Sequence, residues 1–212
     1  MYSFCKVNDN FYYVEGRDDA PVAKICILVG SDASMLVDVG NENEQILNLY
    51  KGINDFNLPE IKYIVITHFH DDHIKNAPVF KNIPFLLSKY TSKYVQNEKI
   101  IIDKSTTINL GDFEVVIDKL PNSHSKGSLL IYAKKIKTMF IGDCLCGKIR
   151  NDEMFLNRSS TYEMIKKIRE YDTEQYVDGH SSLEDTSKEQ VESILSKYED
   201  IFKGNSLLDI KM

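Results

Sequence analysis

The sequence has no tryptophan, few prolines, and no excess of basic residues: its formal charge is −6, and its Lys and Arg are scattered. The charge therefore gives no electrostatic reason to expect nucleic acid or an anionic membrane surface as a partner. No apolar run approaches the roughly 18 residues that a membrane-spanning helix needs. The opening segment MYSFCKVNDNFYYVEG lacks the basic start and apolar stretch of a signal peptide. These absences predict a cytoplasmic protein with neither a nucleic-acid nor a membrane partner.

The chain also has few cysteines. Four in 212 residues, Cys5, Cys26, Cys144 and Cys146, do not suggest a disulfide framework in a chain of this length, and we expect them to be reduced. The remaining composition is that of a globular protein, with 42% hydrophobic and 27% charged residues. We expect one domain over residues 1–212. The sequence carries no signal for a particular oligomeric state.

Strand-like and helix-like segments alternate in both halves of the chain. The predicted strands cover 2–7, 10–15, 24–29, 34–38, 61–67, 84–88, 112–120, 128–133, 137–143 and 174–178. The predicted helices cover 42–53, 89–97, 160–170 and 187–203, the last opening on a capping box formed by Thr186 and Glu189. Two β-rich blocks with helices between them favour a layered α/β domain over a helical bundle or an all-β sandwich.

The segment THFHDDH, residues 67–73, concentrates three of the five histidines. His68 and His70 stand two apart at the end of a predicted strand, so in an extended chain both imidazoles reach one cation. Asp72 and His73 follow where the chain leaves the strand, and a bend there directs them at a neighbouring position. The segment can therefore serve two metal sites. Imidazole and carboxylate donors suit Zn, Fe or Mn better than Ca or Mg.

An isolated pair of histidines on a loop is more often a solvent-exposed pair than a metal site. The remaining histidines change this balance, because His124 lies between two predicted strands and His180 directly follows another. Asp143 ends a further strand and follows Gly142, a small residue that allows close approach. All five histidines thus fall on strand-end loops, which favours a shared metal site over scattered surface residues.

The motifs LVDVG, THFHDDH, NSHSKGS, IGDCL and DGH resemble, in order and spacing, the five motifs of the metallo-β-lactamase superfamily, which includes hydroxyacylglutathione hydrolases and lactonases. The resemblance covers about residues 22–200. It implies a four-layer αββα sandwich with the metals at one edge of the sheets. It also implies that the first metal binds His68, His70 and His124, the second Asp72, His73 and His180, and that Asp143 bridges them. Asp38 either orients a ligand or forms a simple strand-end turn.

The resemblance implies a dinuclear hydrolase with two divalent ions, zinc first and iron or manganese as alternatives. Ions that share a water lower its pKa and produce a hydroxide in place, and Asp72 is the candidate to orient it. The substrate would be a small ester, thioester, lactone or amide. Hydroxyacylglutathione itself is not expected, because only one helix and a tail follow His180. Directly after the THFHDDH loop, where many relatives have a pair of glycines, this chain reads IKNAP, so Lys75 and Asn76 are expected to alter the pocket near the second metal.

Other interpretations remain at this stage. Some relatives hold a single iron and oxidise persulfides, but they do not use a second site, whereas Asp72, His73 and His180 are all present here. A purely structural zinc site is usually a closed, four-coordinate shell, often rich in cysteine. Cys144 and Cys146 are expected to pack behind the site rather than bind metal. β-Lactam hydrolysis is not expected, since those enzymes are typically exported.

Overall fold

Two β-sheets lie face to face in the computed structural model, which describes residues 2–17, 19–204 and 209–211. The strands are β1 Phe4–Asn8, β2 Phe11–Val14, β3 Ile25–Val29, β4 Ser34–Val37, β5 Ile61–Val65, β6 Phe85–Leu87, β7 Lys99–Ile101, β8 Thr106–Asn109, β9 Glu114–Lys119, β10 Leu129–Ala133, β11 Thr138–Phe140, β12 Lys148–Arg150, β13 Glu153–Asn157, β14 Gln175–Val177 and β15 Asp209–Lys211. The helices are α1 Asn43–Asp55, α2 Asp71–Ile74, α3 Arg158–Ile168 and α4 Lys188–Lys203.

The first sheet has the strand order β1-β2-β3-β4-β5-β6-β7. Its first four strands are antiparallel neighbours, and β4 through β7 are parallel. Val37 at the end of β4 lies opposite Val65 at the end of β5. Because parallel strands share a carboxyl edge, the residues that follow these two valines leave the sheet side by side.

The second sheet has the order β14-β11-β10-β9-β8, and a small third sheet joins β12, β13 and β15. Strands β11 and β14 are parallel, with Phe140 opposite Val177 at their carboxyl ends. The residues after Phe140 and Val177 therefore also emerge together. The loop between the antiparallel strands β9 and β10 opens at the same edge, because Leu129, where β10 begins, donates its N–H to Thr67 C=O, just after β5, at 2.8 Å.

Three apolar clusters separate four layers, so the αββα sandwich is confirmed. The cluster between the sheets includes Leu28, Met35, Ile117, Ile131 and Phe140. Helix α1 packs Ile46 and Leu49 on the outer face of the first sheet, against residues such as Leu36 and Ile64. Helices α3 and α4 cover the second sheet, with Met164, Leu195 and Phe202 packed against residues such as Leu130 and Tyr176.

The N-terminus of α4 lies one residue later than the sequence predicted. Ser187 is the N-cap and its side chain accepts a hydrogen bond from Gln190 N–H. The Thr186 hydroxyl instead donates to the carbonyl of Ser182, so the capping box of Thr186 and Glu189 was wrong. Of the helices that the structure describes, none combines the length and apolarity that crossing a bilayer requires.

The helix predicted over 89–97 was also wrong. That segment contains a single 3-10 turn, Thr91–Lys93. The Ser88 hydroxyl accepts a hydrogen bond from Thr91 N–H at 3.1 Å and donates to the Thr91 hydroxyl at 3.1 Å. The Ser88 hydroxyl thus caps the start of this turn, and the backbone bond from Tyr94 N–H to Thr91 C=O at 3.0 Å is of the 3-10 type.

Candidate metal centre

The strand ends bring the sequence-predicted ligands to one edge of the sandwich. His68 and His70 follow β5, and the chain then bends into the single turn of α2. Asp143 follows β11 and His180 follows β14, while His124 lies in the loop joining β9 to β10. Residues from four separate segments therefore converge, and donor atoms of all seven predicted residues fall into two groups.

The first group consists of three imidazoles and one carboxylate, contributed by His68, His70, His124 and Asp143, with donor atoms within 4.8 Å of one another. The Nδ1 atom of His70 lies 3.0 Å from Nε2 of His68 and 2.9 Å from Nε2 of His124. The Oδ2 atom of Asp143 lies 3.8 Å from Nε2 of His68 and 3.5 Å from Nε2 of His124. Three ring nitrogens thus face one point beside a carboxylate.

The second group consists of Asp72, His73, Asp143 and His180. The Nε2 atom of His180 lies 3.1 Å from Oδ2 of Asp72 and 3.4 Å from Oδ2 of Asp143. The Nε2 atom of His73 lies 3.4 Å from Oδ2 of Asp72 and 3.4 Å from Oδ1 of Asp143. The turn of α2 therefore directs Asp72 and His73 to a different point from His68 and His70, and Asp143 is common to both groups.

The donor set fits divalent cations. Three imidazole nitrogens that face one another cannot all be satisfied by mutual hydrogen bonds, since a neutral ring carries one donor and one acceptor. In the second group, His73 Nε2 and Asp143 Oδ1 are buried polar atoms without a hydrogen-bond partner among the described residues. Buried polar atoms are normally paired, and a cation between these two would satisfy both. Mixed imidazole and carboxylate donors are those of Zn, Fe and Mn sites.

Asp38 contacts His73 directly and His68 through Thr67, and it also forms a strand-end turn, so the two interpretations that the sequence offered for it do not exclude each other. It is buried, and its Oδ2 lies 2.7 Å from His73 Nδ1. The same oxygen accepts a hydrogen bond from the Thr67 hydroxyl at 2.7 Å, while Oδ1 accepts from Thr67 N–H at 2.8 Å. Asp38 also forms the strand-end turn, with a left-handed φ of 59° that Asp and Asn tolerate best after glycine.

Thr67 is a functional residue that the sequence analysis did not single out. Its hydroxyl donates to Asp38, so it is left to accept a hydrogen bond from His68 Nδ1, 3.1 Å away. The neutral forms of His68 and His73 therefore carry their proton on Nδ1, which leaves Nε2 to face a cation. Such outer hydrogen bonds fix the tautomer and the ring orientation of metal-binding histidines. The only signal in the sequence was its position immediately before His68.

Burial keeps the histidines of the first group neutral. Burial, together with the charge of the neighbouring imidazoles, holds the pKa of His68 well below its ordinary value. Burial also lowers the pKa of His70 and of His124. A metal-free first group thus presents unprotonated nitrogens near neutral pH, the form that binds cations.

In the second group, the neighbouring carboxylates raise the pKa values of the histidines. Burial by itself lowers the pKa of His180, but Asp143 and Asp72 outweigh it and raise that pKa to about 10. Burial likewise opposes protonation of His73, and Asp38 with Asp143 raises its pKa well above the ordinary value. Burial disfavours the charge on Asp143, yet the adjacent His73 and His180 hold the pKa of this carboxyl far below its usual range. In the metal-free protein, His73 and His180 are therefore protonated near neutral pH.

Two glycines make room for the ligands. Gly142 has a left-handed φ of 49°, and a Cβ there would lie 2.7 Å from the Thr67 hydroxyl oxygen. A Cβ on Gly179 would lie 2.5 Å from Asp143 Oδ1 and 2.8 Å from His73 Cε1. The sequence analysis anticipated close approach at Gly142. It missed Gly179, although that residue directly precedes His180.

Asp178 and Lys24, for which the sequence predicted no role, hold the loop that carries His180. Asp178 Oδ1 accepts hydrogen bonds from His180 N–H at 3.0 Å and Ser181 N–H at 2.7 Å. Lys24 is buried, and its Nζ lies 3.5 Å from Asp178 Oδ1. Its backbone N–H also donates to Gly179 C=O at 2.8 Å. Asp178 and Lys24, which directly precedes β3, therefore fix the backbone on which His180 stands.

The cysteines after Asp143 lie outside both ligand groups. Cys144 is buried in the core that α3 and α4 form on the second sheet. The thiol of Cys146 lies 3.9 Å from Met154 Sδ. The side chain of Asn76 is buried and donates to Val39 C=O at 3.0 Å.

Comparison with known proteins agrees with this architecture. The family model for the metallo-beta-lactamase superfamily matches residues 22–96. A beta-lactamase-like protein 2 homolog of Caenorhabditis elegans is 24% identical over 79% of this chain, which spans 59% of that relative's length. A probable metallo-hydrolase of Methanocaldococcus jannaschii is 25% identical over 70% of this chain and 71% of its own length.

The metallo-beta-lactamase from Pontibacter korlensis shares the fold, with a TM-score of 0.75 at 16% identity, over 94% of this chain and all of that one. The two sheets, the edge site and these matches define an α/β protein with a two-group histidine–aspartate centre. Residues 22–96 thus match the family model of the metallo-beta-lactamase superfamily, and the chain as a whole has the fold of the metallo-beta-lactamases.

Replacing Gly179 with alanine is expected to weaken metal binding by about 10- to 100-fold, the loss typical of changes that displace metal ligands. The new methyl group would overlap Asp143 Oδ1 and His73 Cε1, so both side chains must move. Gly204→Ala is the matched control, because a Cβ there meets only Asp200 C=O, at 3.8 Å. Metal titration of the two variants measures the effect, and equal affinities would show that Gly179 is not needed for the site.

Proposed function

We propose that the protein is a dinuclear metal-dependent hydrolase that cleaves a small ester, thioester, lactone or amide, as members of the lactonase-like branch of its superfamily do. The observation that carries the proposal is the pair of ligand groups that share Asp143. A probable metallo-hydrolase among the relatives supports the same class of reaction.

In this proposal, each ion has a protein shell that is already assembled. His68, His70 and His124 would hold the first ion. Asp72, His73 and His180 would hold the second, with the Asp143 carboxylate between the two. We propose zinc as the physiological ion, since it accepts both imidazole nitrogen and carboxylate oxygen. Iron or manganese fits the same donor chemistry.

Two such ions, when bound, supply a water of lowered pKa and an electrophile for the substrate carbonyl. The chain's own residues arrange the rest. Asp72 faces the second group through Oδ2, which lies near His73 and His180. Its other carboxylate oxygen is then free to accept a hydrogen bond from the attacking water and to orient it. The same oxygen is the candidate to pass that proton to the leaving group.

The test is a comparison of metal-free, zinc-, iron- and manganese-loaded protein on a panel of esters, thioesters, lactones and amides. We expect hydrolysis of at least one substrate class that chelation abolishes and metal restores. The panel also includes a persulfide with oxygen uptake as its readout, for the single-iron alternative. Oxygen consumption by protein that holds one iron, without hydrolysis of any panel member, would contradict the proposal.

As the pH falls, the metal affinity of the second group is expected to decrease more steeply than that of the first group. Its ligand His180, with a pKa near 10, must lose a proton on binding, whereas His68 is already neutral. Affinity at the second group should therefore rise by about tenfold per pH unit for each proton displaced, from about pH 6 to about pH 9. Calorimetric zinc titrations at several pH values separate the two events. Parallel pH dependence of both would exclude this difference between the groups.

A further inference from the structure

The seven-stranded sheet ends on the edge strand β7, Lys99–Ile101. In the part of the chain that the structure describes, β7 pairs only with β6, so its outer side has no strand partner. All three residues of β7 are exposed, and the side chains of Ile100 and Ile101 are 41% and 42% exposed. An apolar edge strand with free backbone groups is a template for pairing with another chain.

Alternate residues of β7 direct their backbone groups away from the sheet. On the inner side, Phe85 N–H donates to Glu98 C=O at 2.8 Å. Two turns of the ladder later, Ile102 N–H donates to Leu87 C=O at 2.8 Å. In a parallel ladder, every second residue of a strand bonds to the same neighbour. The backbone groups that face outward are therefore those of Lys99, Ile101 and Asp103.

Charged residues flank the isoleucines in an order that is complementary to itself. Residues 98–104 read EKIIIDK. When a second copy of this segment runs in the opposite direction, each acidic residue lies opposite a lysine. Among the described residues, none of these four charged side chains has an ion-pair partner. Charges of one sign would repel a second copy, whereas this order attracts it.

The complementary charges meet when a two-fold axis passes through Ile101. Lys99 then lies opposite Asp103 of the second copy, and Glu98 lies opposite Lys104. The three isoleucines fill the centre, where Ile101 lies opposite its own copy. Cross-strand pairs of opposite charge and of β-branched residues both stabilise antiparallel strands.

The other two-fold registers lack this match. An axis through Lys99 or through Asp103 would place that charged residue opposite its own copy. An axis through Ile100 would place Ile101 opposite a lysine, and an axis through Ile102 would place it opposite an aspartate. Like charges directly opposite each other destabilise a strand pair, so the charge pattern selects the axis through Ile101.

We propose that the protein forms a two-fold dimer in which β7 pairs antiparallel with β7 of a second copy, with the axis at Ile101. The outward N–H of Ile101 donates to the Ile101 carbonyl of the second copy, and the symmetric bond completes the pair. The two seven-stranded sheets become one continuous sheet. Such an interface uses the same surface of both copies, so it closes at two chains.

The two metal centres of this dimer lie at opposite edges of the joined sheet. Strands β4 to β7 are parallel, and THFHDDH follows the carboxyl end of β5. Antiparallel pairing of β7 reverses the strand direction in the second copy, so its carboxyl edge points the other way. The second copy therefore contributes no ligand to the first, and the association does not depend on the proposed hydrolysis.

Sedimentation equilibrium across the micromolar range measures the association. We expect a reversible equilibrium between one and two chains. Monomer at every concentration would overturn the dimer. Assemblies larger than two chains would overturn the two-fold arrangement, because they require head-to-tail pairing of β7 with another surface, such as the opposite edge strand β1.

Ile101→Pro removes the N–H at the axis and leaves the bonds between β6 and β7 in place, because that N–H faces away from β6. Proline is accepted on an edge strand when its nitrogen faces solvent. We expect association at least about tenfold weaker, since two hydrogen bonds are lost per dimer, with the metal content unchanged. Ile101→Val, which keeps the N–H, is the matched control. Equal association of both variants would overturn the pairing.

Reversal of single charges tests the register. Lys99→Glu and Asp103→Lys each place like charges opposite each other and should each weaken self-association by about tenfold or more. Lys197→Glu, on the exposed face of α4, is the matched control. An equimolar mixture of the two variants should associate about as tightly as the unmodified protein, because both opposite-charge pairs are restored.

The mixture also controls for a contact inside the chain. Lys99 Nζ donates to Ser92 C=O at 2.7 Å, and Lys99→Glu loses this bond whether or not the other variant is present. Recovery of the dimer in the mixture therefore reports the charge pairs between copies. A mixture no tighter than either variant alone, or single variants that associate like the control, would overturn the register. Either result leaves the hydrolase proposal untouched, because that proposal is tested on metal-loaded protein of any oligomeric state.

Discussion

Replacing Asp143 with asparagine is expected to reduce hydrolysis by at least about 100-fold and to lower the metal content of the protein. Losing only the outer partners of metal ligands already weakens binding or activity by about 10- to 100-fold, and Asp143 belongs to both ligand groups. An amide keeps the size of the side chain but not its charge. The nearby imidazoles of His73 and His180, each 3.4 Å away, would then face a cation without the anion between them.

Elemental analysis and steady-state rates on the same preparation check this expectation. Asp71→Asn is the matched control, because Asp71 is an exposed acidic residue of α2 next to Asp72 and lies outside both ligand groups. We expect the control to retain metal and activity within about twofold, as for most surface substitutions. An Asp143→Asn protein with the full metal content and the full rate would show that neither metal binding nor hydrolysis requires the shared carboxylate.

Replacing Asp38 with alanine is expected to destabilise the metal-free protein by about 3 kcal/mol, the usual loss when one partner of a buried ion pair is removed. Thr67 N–H, the Thr67 hydroxyl and His73 would all lose their acceptor in a buried site. Alanine would also adopt the left-handed φ of 59° at a steric cost. Thermal unfolding with chelator should show a Tm about 6 to 12 °C lower.

Asp38→Asn separates the two roles of this residue. Asparagine tolerates the left-handed backbone, but its amide cannot accept hydrogen bonds from both Thr67 and His73 at one oxygen and Thr67 N–H at the other. We expect a smaller loss of stability and metal affinity about 10- to 100-fold weaker. Asp55→Ala, at an exposed position of α1, is the control and should change stability by less than about 0.5 kcal/mol. An Asp38→Ala protein as stable as this control would contradict the structural role.

The sequence predicted most strands of the two large sheets but missed β7, β8, β12, β13 and β15. Residues 61–65 are apolar and β-branched enough to identify β5 directly. By contrast, β7 and β12 are exposed along their whole length. An edge strand of this kind lacks the burial that produces an alternating apolar pattern, so its composition does not distinguish it from a loop.

The ligand cluster was visible in the sequence because histidine and aspartate are chemically distinctive and stood at strand ends. Thr67 and Gly179 were not visible, because their roles depend on which atoms the fold places next to them: Asp38 for Thr67, and Asp143 for Gly179.

The metal content of protein purified without added metal tests the central claim most directly. Elemental analysis, expressed per chain, should find about two ions of zinc, iron or manganese, one for each ligand group. A single iron, with the group of Asp72, His73 and His180 still empty after metal is supplied, would contradict the dinuclear centre and the hydrolytic mechanism built on it.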